Sequence, residues 1–191
     1  MKSDIDKAIR VLNKGGIVIF PTDTAFGIGC RMDNKKAIRR LFRIRRRPKD
    51  KAVPVLVSSF KMAKEYLEPT DSDVRSIMKK HWPGGLTLIL RCIRERVPSL
   101  VRGGKETIGV RIPNHKKTLK LIRAVGVPIL GPSANFQGEK TPFRFEDLNP
   151  DLISQVDLLL SGNTGSYKKP STIIDCSVKP WKILRKGAVE I

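Results

Sequence analysis

The run Ile17-Val18-Ile19-Phe20-Pro21, followed by Thr22-Asp23-Thr24, is the stretch that decides the fold. Four consecutive apolar residues, three of them β-branched, predict a short strand that is buried on both faces. Proline lacks the N–H that a strand ladder needs, so we expect the strand to end there. The three polar residues then lie at the end of a buried strand, where α/β sheets place binding groups. The stretch therefore predicts an α/β-type sheet with a polar site at its edge.

Helical and extended patterns alternate on both sides of this strand. Before it, Ser3 and Asp6 resemble a capping box, and the glycine pair 15–16 predicts the end of a first helix. Further strands are predicted at 53–57, 86–90, 107–112, 127–130, 156–160, 172–175 and 181–184. Further helices are predicted at 59–67, 72–80 and 116–124. The alternation indicates one mixed sheet flanked by helices.

Length and composition narrow the class of protein. The 191 residues are 40% apolar, which fits a single domain over residues 1–191 with a substantial core. Lys and Arg number 38 against 18 Asp and Glu, which gives a net charge of +20. An excess of this size favours anionic partners such as RNA or nucleotides. The same excess of basic residues would also arise if the whole proteome were basic or adapted to salt.

Several function classes find no support in the sequence. The three cysteines, Cys30, Cys92 and Cys176, are far apart and odd in number, which disfavours a disulfide framework or a zinc knuckle. Neither His81 nor His115 lies beside a predicted nucleophile, so a hydrolase triad is disfavoured. The chain has no Walker motif and no dinucleotide-binding fingerprint. No apolar leader or membrane-length apolar run is present, so we predict a cytoplasmic protein with no membrane contact.

A basic segment from Lys35 to Lys51, with ten basic residues and one acid, supplies the first candidate site residue. Counted from Ile38, two further apolar residues and Arg45 fall at i+3, i+4 and i+7, on one helical face. Arg45 would thus continue an apolar stripe and would need a partner. A guanidinium matches phosphate oxygens with two parallel hydrogen bonds, although an internal carboxylate would satisfy the same charge.

Polar candidate site residues lie at the ends of several predicted strands, the first one included. They are Thr24, Arg111, Ser133, Asn135, Ser171 and Arg185. Each alone could cap a turn or extend from a sheet edge. Together, hydroxyls and arginines without catalytic histidines suit a reaction that relies on positioning and charge neutralisation, as nucleotidyl transfer does. We expect no metal site made by the protein alone, because Mg²⁺ that arrives with a nucleotide takes phosphates and water as ligands.

Seven short motifs run through nearly the whole chain. They are Phe20-Pro-Thr-Asp-Thr-Ala-Phe-Gly-Ile-Gly29, Arg45-x-Arg47-Pro48, Trp82-Pro-Gly-Gly-Leu-Thr87, Val110-Arg-Ile-Pro113, Gly131-Pro-Ser-Ala-Asn135, Pro170-Ser-Thr172 and Leu184-Arg-Lys-Gly187. In this order and spacing they resemble the threonylcarbamoyl-adenylate synthase family, the YrdC-like domain. The resemblance implies an α+β fold of the α/β type, with a single twisted, mostly mixed sheet and a basic concave cavity.

The same resemblance implies a function. ATP, bound with Mg²⁺, would react with L-threonine and bicarbonate to give threonylcarbamoyl-AMP and pyrophosphate, a nucleotidyltransferase reaction. A downstream threonylcarbamoyl transferase would then use the product to make t6A at adenosine 37 of tRNA. Longer family members carry a C-terminal domain after a linker. This chain ends soon after the Leu184 motif and so resembles the short, single-domain form.

Site residues follow from the resemblance, position by position. Those implied around threonine are Thr24, Arg111 and Ser171. Those implied around ATP are Arg47, Lys51, Thr107, Ser133, Asn135, Thr141 and Arg185. The residues expected to carry catalysis are Arg45, Arg47, Ser133 and Asn135. Two positions depart from the family pattern, because Arg45 stands where lysine is usual and Phe26 where tyrosine is usual.

The alternative function is a non-catalytic RNA-binding module, for which the charge itself would be the functional feature. Such modules interleave exposed aromatic residues with basic ones so that bases can stack. Aromatic residues make up only 6% of this chain, and no RNP-like motif is present. Carbamoyl-adenylate formation in hydrogenase maturation is also disfavoured, because those proteins embed the domain in a much larger chain with zinc fingers. The sequence therefore favours the synthase, with RNA binding as an additional partner hypothesis.

Overall fold

The computed structural model describes residues 3–191. The helices in this range are α1 Asp4–Asn13, α2 Lys35–Ile44, α3 Phe60–Lys64, α4 Ser72–His81, α5 Ser99–Arg102, α6 Lys116–Val125 and α7 Pro150–Ile153. The strands are β1 Val18–Pro21, β2 Phe26–Gly29, β3 Val55–Leu56, β4 Leu86–Arg91, β5 Thr107–Arg111, β6 Ile129–Leu130, β7 Leu158–Leu159, β8 Thr172–Asp175 and β9 Lys182–Arg185. Two short 3-10 turns, Arg94–Arg96 and Phe145–Asp147, complete the described secondary structure.

The strands form two mixed ladders. The smaller has the order β2-β1-β7 and the larger has the order β6-β3-β5-β4-β8-β9. Parallel pairs are β1 with β7, β3 with β5 and β4 with β8, and the other pairs are antiparallel. Helices pack against these ladders, so the predicted fold class, a mixed α+β fold of the α/β type, is confirmed.

A seam of backbone hydrogen bonds joins the two ladders. Single bridges pair Gly27 with Ser133 and Arg31 with Ile129. The close approach requires glycine, because a Cβ on Gly29 would overlap the backbone carbonyl oxygen of Leu130. The predicted single sheet is thus two ladders held edge to edge. The loop 131–135 is thereby fixed against β2.

Local sequence explains where the elements begin and end. Ser3 caps α1 through a capping box with Asp6, as its sequence predicts. The strand predicted at 17–20 runs from Val18 and ends at Pro21. β2 was not predicted, because two of the four residues in its sequence Phe-Gly-Ile-Gly are glycines, which are depleted in strands. The predicted strands 53–57, 127–130 and 156–160 each contain only two paired residues.

Burial of α2 confirms the reading of its helical face. Ile38, Leu41 and Phe42 lie in the core, and Arg45, which forms the C-cap of the helix, is only 4% exposed. The apolar stripe therefore carries a guanidinium into the interior of the protein, where it must find hydrogen-bond partners. No helix within residues 3–191 is both long enough and apolar enough to cross a bilayer.

Candidate active site

One cavity of about 350 Å³ brings together most of the predicted site residues. Nine of the eleven line it: Thr24, Arg45, Arg47, Thr107, Arg111, Ser133, Thr141, Ser171 and Arg185. The other two, Lys51 and Asn135, do not form its wall. Lys51 is exposed and contributes its backbone carbonyl to the site, and Asn135 lies directly behind the wall. Residues far apart in the chain thus converge on one concave surface.

A buried ion pair fixes Arg111 at one end of the cavity. Its guanidinium donates to the carbonyl oxygen of Gly84 at 2.9 Å, to Thr24 Oγ1 at 2.8 Å and to the carboxylate of Asp23. Asp23 and Arg111 are both almost completely buried, and burial lowers the pKa of Arg111 despite the neighbouring carboxylate. With three acceptors, Arg111 has a defined orientation at the cavity wall.

A hydroxyl pair lies on the sheet beside Arg111. Thr87 Oγ1 and Ser171 Oγ are 2.8 Å apart, and Arg185 donates to both the hydroxyl and the carbonyl of Ser171, at 3.0 and 2.9 Å. Burial and the charge of Arg111 lower the pKa of Arg185. With Thr24 and Arg111, these groups form a small polar end of the cavity, which we call the hydroxyl end.

Arg45 and Ser133 line another part of the cavity wall, and Asn135 supports both from behind it. Arg45 donates from Nε to the backbone oxygen of Asn135 at 3.1 Å and from Nη2 to its Oδ1 at 3.3 Å. Ser133 donates to the same Oδ1 at 2.6 Å, and Asn135 donates to the carbonyl of Glu139 at 2.7 Å. Asn135 is therefore the residue that holds both Arg45 and Ser133 in place.

One nitrogen of Arg45 lacks a hydrogen-bond partner among the described residues. Nη1 is buried and has no hydrogen-bond partner within residues 3–191, and no carboxylate in this range pairs with the guanidinium. Burial and the charge of Arg47 lower the pKa of Arg45 to about 10, so the group still carries its proton at neutral pH. A buried donor without a partner costs roughly 1–3 kcal/mol, and an anion in the cavity would remove that cost.

Arg47 is locked beside Arg45. It donates to the backbone carbonyls of Lys51, at 3.0 Å, and of Ala52, and from Nη1 to Gln137 Oε1 at 2.7 Å. Burial lowers the pKa of its guanidinium. Its orientation is set by neutral acceptors, so its charge is not cancelled by an acid within hydrogen-bond distance. We call Arg45, Arg47 and Ser133 the cation wall.

The charges that line the cavity are strongly unequal. The five cations are Arg45, Arg47, Lys105, Arg111 and Arg185, against the single carboxylate of Asp175. Asp23, Thr87 and Asp175 were not predicted as site residues, although Asp23 and Thr87 lie in quoted motifs and Asp175 ends the predicted strand 172–175. No cluster of three or more metal-ligating side chains occurs within residues 3–191.

A second concave surface lies outside the cavity, along α2. This groove, of about 560 Å³, is lined by Lys36, Arg39, Phe42, Arg43, Arg46, Arg47, Lys49 and Leu100. Its polar lining residues are all cations, and Arg47 lines the cavity as well. Arg40, also on α2, does not line this groove and pairs with Asp157. We call this surface the α2 groove.

Known proteins resemble the chain along nearly its whole length. A Sua5/YciO/YrdC family model, described as "Telomere recombination", matches residues 10–187. A Vibrio vulnificus protein named threonylcarbamoyl-AMP synthase is 32% identical over 189 residues, which cover 98% of this chain and 100% of that protein. A Bacillus subtilis protein of the same name is 31% identical over 185 residues, and the chain spans 54% of its length.

Structural similarity agrees with the sequence matches. The crystal structure of Pyrococcus abyssi Sua5 complexed with L-threonine superposes with a TM-score of 0.92 at 31% identity. The match covers 98% of this chain and 55% of the Pyrococcus chain, so the similarity spans about half of that longer protein.

Proposed function

The chain belongs to the Sua5/YciO/YrdC family, and we propose that it is a threonylcarbamoyl-AMP synthase. In this reaction L-threonine, bicarbonate and ATP give threonylcarbamoyl-AMP and pyrophosphate. The observation that carries the proposal is the buried Nη1 of Arg45, which has no hydrogen-bond partner within residues 3–191, at a cavity with five cations and one acid. A cavity of this charge suits a substrate with several anionic groups. The relatives' names then suggest which anionic substrate it is.

The hydroxyl end suits the amino acid. Arg111 would pair with the carboxylate of threonine, because its guanidinium is held rigidly by three acceptors. Thr24 and Ser171 would contact the polar groups of the amino acid. The Pyrococcus relative binds L-threonine in its crystal structure, as its name states, which favours the same amino acid here.

The cation wall suits the triphosphate. Arg45 would bind phosphate oxygens through Nη1, the nitrogen without a hydrogen-bond partner within residues 3–191. Arg47 would add a second fixed charge. Thr141 would add a neutral donor, whereas the hydroxyl hydrogen of Ser133 is already donated to Asn135. Thr107 and Arg185 line the remaining wall. Lys51 has its side chain in solvent, so we assign it a long-range electrostatic role.

The reaction then needs two bond-forming steps. The threonine amine attacks bicarbonate to give an N-carboxylate and water, and the amine proton passes to bicarbonate or solvent. The N-carboxylate oxygen next attacks the α-phosphorus, and the bond to the β-phosphate oxygen breaks as pyrophosphate leaves. Three anions must approach one another, so the fixed arginines lower the barrier by neutralising charge and by holding the reactants in line.

Magnesium would enter with ATP. The fit of the described residues to a resident ion is poor, since no group of three metal ligands occurs among them. Mg²⁺ commonly binds through substrate phosphates and water, where it offsets the negative charge of the triphosphate. We therefore propose it as part of the substrate complex.

A labile adenylate implies a consumer, so we further propose a downstream threonylcarbamoyl transferase that acts on tRNA. The α2 groove is the surface where RNA phosphates would bind if the synthase also contacts RNA directly, since its polar lining is wholly cationic. RNA binding would then accompany catalysis instead of replacing it.

The proposal is tested by incubating the protein with ATP, Mg²⁺, bicarbonate and labelled threonine. We expect pyrophosphate release that requires both threonine and bicarbonate, together with a labelled adenylate. Valine should be a far poorer substrate than threonine, because a site built to bond a hydroxyl leaves its own polar groups unpaired with valine. Serine should lose only about 10-fold, since it lacks one methyl group. Pyrophosphate release without threonine would rule the proposal out.

A further inference from the structure

Among residues 3–191, Asp175 is the one acidic residue that lines the cavity, so its charge would repel the anionic groups of the proposed substrate. Its Oδ1 accepts hydrogen bonds from the backbone N–H and the hydroxyl of Ser177, at 2.9 and 2.5 Å. Its Oδ2 has no hydrogen-bond or ion-pair partner within residues 3–191. The contact with Ser177 uses only Oδ1, so it explains neither the second oxygen of Asp175 nor the position of this residue at the cavity.

Strand register places Asp175 far from the hydroxyl end. On β8 it lies four residues after Ser171, and on β5 Thr107 lies four residues before Arg111. At about 3.3 Å per residue, both lie roughly 13 Å from the hydroxyl end along the sheet. In the ladder Asp175 pairs with Ile89, which also lines the cavity. The sheet thus forms a floor that runs from Arg111 to Asp175.

The floor near Asp175 is apolar. Ile89 and Ile173 line it, and Leu184 lines its edge while remaining 57% exposed. An exposed leucine beside a cavity is a surface that an apolar ring could cover. This region, with Ile89, Ile173, Leu184 and Asp175, differs from both the hydroxyl end and the cation wall. We call it the acid end.

The proposed reaction divides the substrates into three arms that meet at the α-phosphorus. These arms are the N-carboxylated amino acid, the leaving pyrophosphate and the adenosine. The pyrophosphate arm is the most anionic and belongs at the cation wall, and the amino acid belongs with Arg111. The nucleoside is the uncharged arm, and it is the one that a carboxylate would not repel.

Resting on the proposed function, we propose that Asp175 is a specificity residue that accepts a hydrogen bond from the ribose diol of ATP through Oδ2. An ionised carboxylate only accepts hydrogen bonds, and the two ribose hydroxyls are donors of matching chemistry. Ser177 holds the carboxylate in position from behind. The nucleobase then covers the apolar floor. Asp175 would therefore select ribonucleotides over deoxyribonucleotides.

The test compares dissociation constants of ATP, 2′-deoxy-ATP and 3′-deoxy-ATP by titration calorimetry with Mg²⁺. The wild type should bind at least one deoxy analogue about 10-fold or more weakly than ATP, because that analogue cannot donate a hydrogen bond to the charged group. Asp175→Ala should bring this ratio close to one. Ser177→Ala is the control for the turn and should keep most of the discrimination. Arg45→Gln should weaken all three nucleotides by the same factor.

The outcomes separate this inference from the proposed function. If Asp175→Ala discriminates as strongly as the wild type while pyrophosphate release still depends on threonine, the synthase proposal stands and the role of Asp175 is wrong. Equal binding of all three nucleotides by the wild type would overturn the role as well. Failure of the wild type to bind ATP would overturn both.

Discussion

Arg43 and Arg45 are two residues apart in sequence, yet the helix sends them to opposite environments. Arg43 lines the exposed α2 groove, and Arg45 is buried at the cation wall. In the groove Arg39 and Arg43 are exposed to solvent. At the wall the guanidinium groups of Arg45 and Arg47 are each held by protein acceptors. The same residue type is thus exposed to solvent on one face and fixed in orientation on the other, so we expect only screened, long-range effects from the first.

The largest effect should come from the most buried charge pair. Asp23→Ala leaves Arg111 buried without its carboxylate, so we expect the free energy of unfolding to fall by about 3–5 kcal/mol. Denaturant unfolding followed by circular dichroism measures this change. The matched control is Glu106→Ala, whose ion pairs with Arg91 and Arg94 are more than half exposed. It should cost about 1 kcal/mol or less.

Equal losses for Asp23→Ala and Glu106→Ala would show that burial does not distinguish the two regions. Replacing both partners, as in Asp23→Ala with Arg111→Met, should recover part of the stability, because no charge is then left buried alone. It should not recover turnover, because the guanidinium proposed to bind the amino acid is absent.

The next effect falls on activity. Asn135→Ala removes the acceptor that holds Nη2 of Arg45 and the hydroxyl of Ser133. We expect the rate of adenylate formation to fall about 10- to 150-fold, as the removal of a charge-assisted hydrogen bond of roughly 1.5–3 kcal/mol implies. The circular dichroism spectrum should stay the same. A normal rate in a folded Asn135→Ala protein would contradict the role of the cation wall.

A smaller effect is expected from His115, because burial favours the neutral form of its imidazole. Burial lowers the pKa of His115 below 6.5, whereas an arginine in a similar place stays charged. The unfolded chain therefore binds more protons, so this contribution to stability is present above pH 6.5 and is lost as the pH falls through 6.5 towards the folded pKa. His115 caps α6 by accepting from the N–H of Thr118.

His115→Asn tests this sign, because asparagine can cap the helix but does not titrate here. Melting temperatures between pH 7.5 and 5 should fall less steeply in this variant than in the wild type. His81, whose pKa is also lowered by burial, remains in both proteins and sets the residual slope. A steeper fall in the variant would contradict the assignment.

The smallest effect on synthesis should come from the α2 groove. Changing Lys36, Arg39 and Arg43 to Gln should leave the rate of adenylate formation within about 2-fold, because screening weakens their effect on the cavity. If RNA binds there, the slope of log affinity against log salt should fall by about 0.7–0.9 for each phosphate that the variant no longer neutralises. Filter binding across salt concentrations measures this slope.

The matched control removes three exposed charges from α6, by changing Lys116, Lys120 and Arg123 to Gln. Identical slopes for the two variants would assign the groove charges to solubility alone.

The cavity residues that could be predicted from the sequence are those that a short-range pattern or a motif places. The burial of Arg45 follows from its spacing to Ile38, because helical period is a short-range property. The end of β1 follows from Pro21 for the same reason. The motif residues Arg111 and Ser133 also reach the cavity as expected.

Side-chain pairs between residues far apart in the chain could not be predicted from the sequence pattern. Asp23 and Arg111 are 88 positions apart, and Thr87 and Ser171 are 84 apart, so no periodicity connects them. Lys51 was expected at the nucleotide, but the turn after α2 leaves its side chain in solvent and uses its carbonyl for Arg47. The seam between the ladders depends on glycine positions in β2 that read as weak strand signals.

The central claim is that position, and not charge alone, makes an arginine of this protein functional. The direct test measures adenylate formation for two variants that each lose two arginine charges on or next to α2. Arg45→Gln with Arg47→Gln should lower the rate at least 100-fold, because the guanidinium groups proposed to bind phosphate are absent. Arg39→Gln with Arg43→Gln should stay within about 2-fold of the wild type. Equal losses in the two folded variants would contradict the claim.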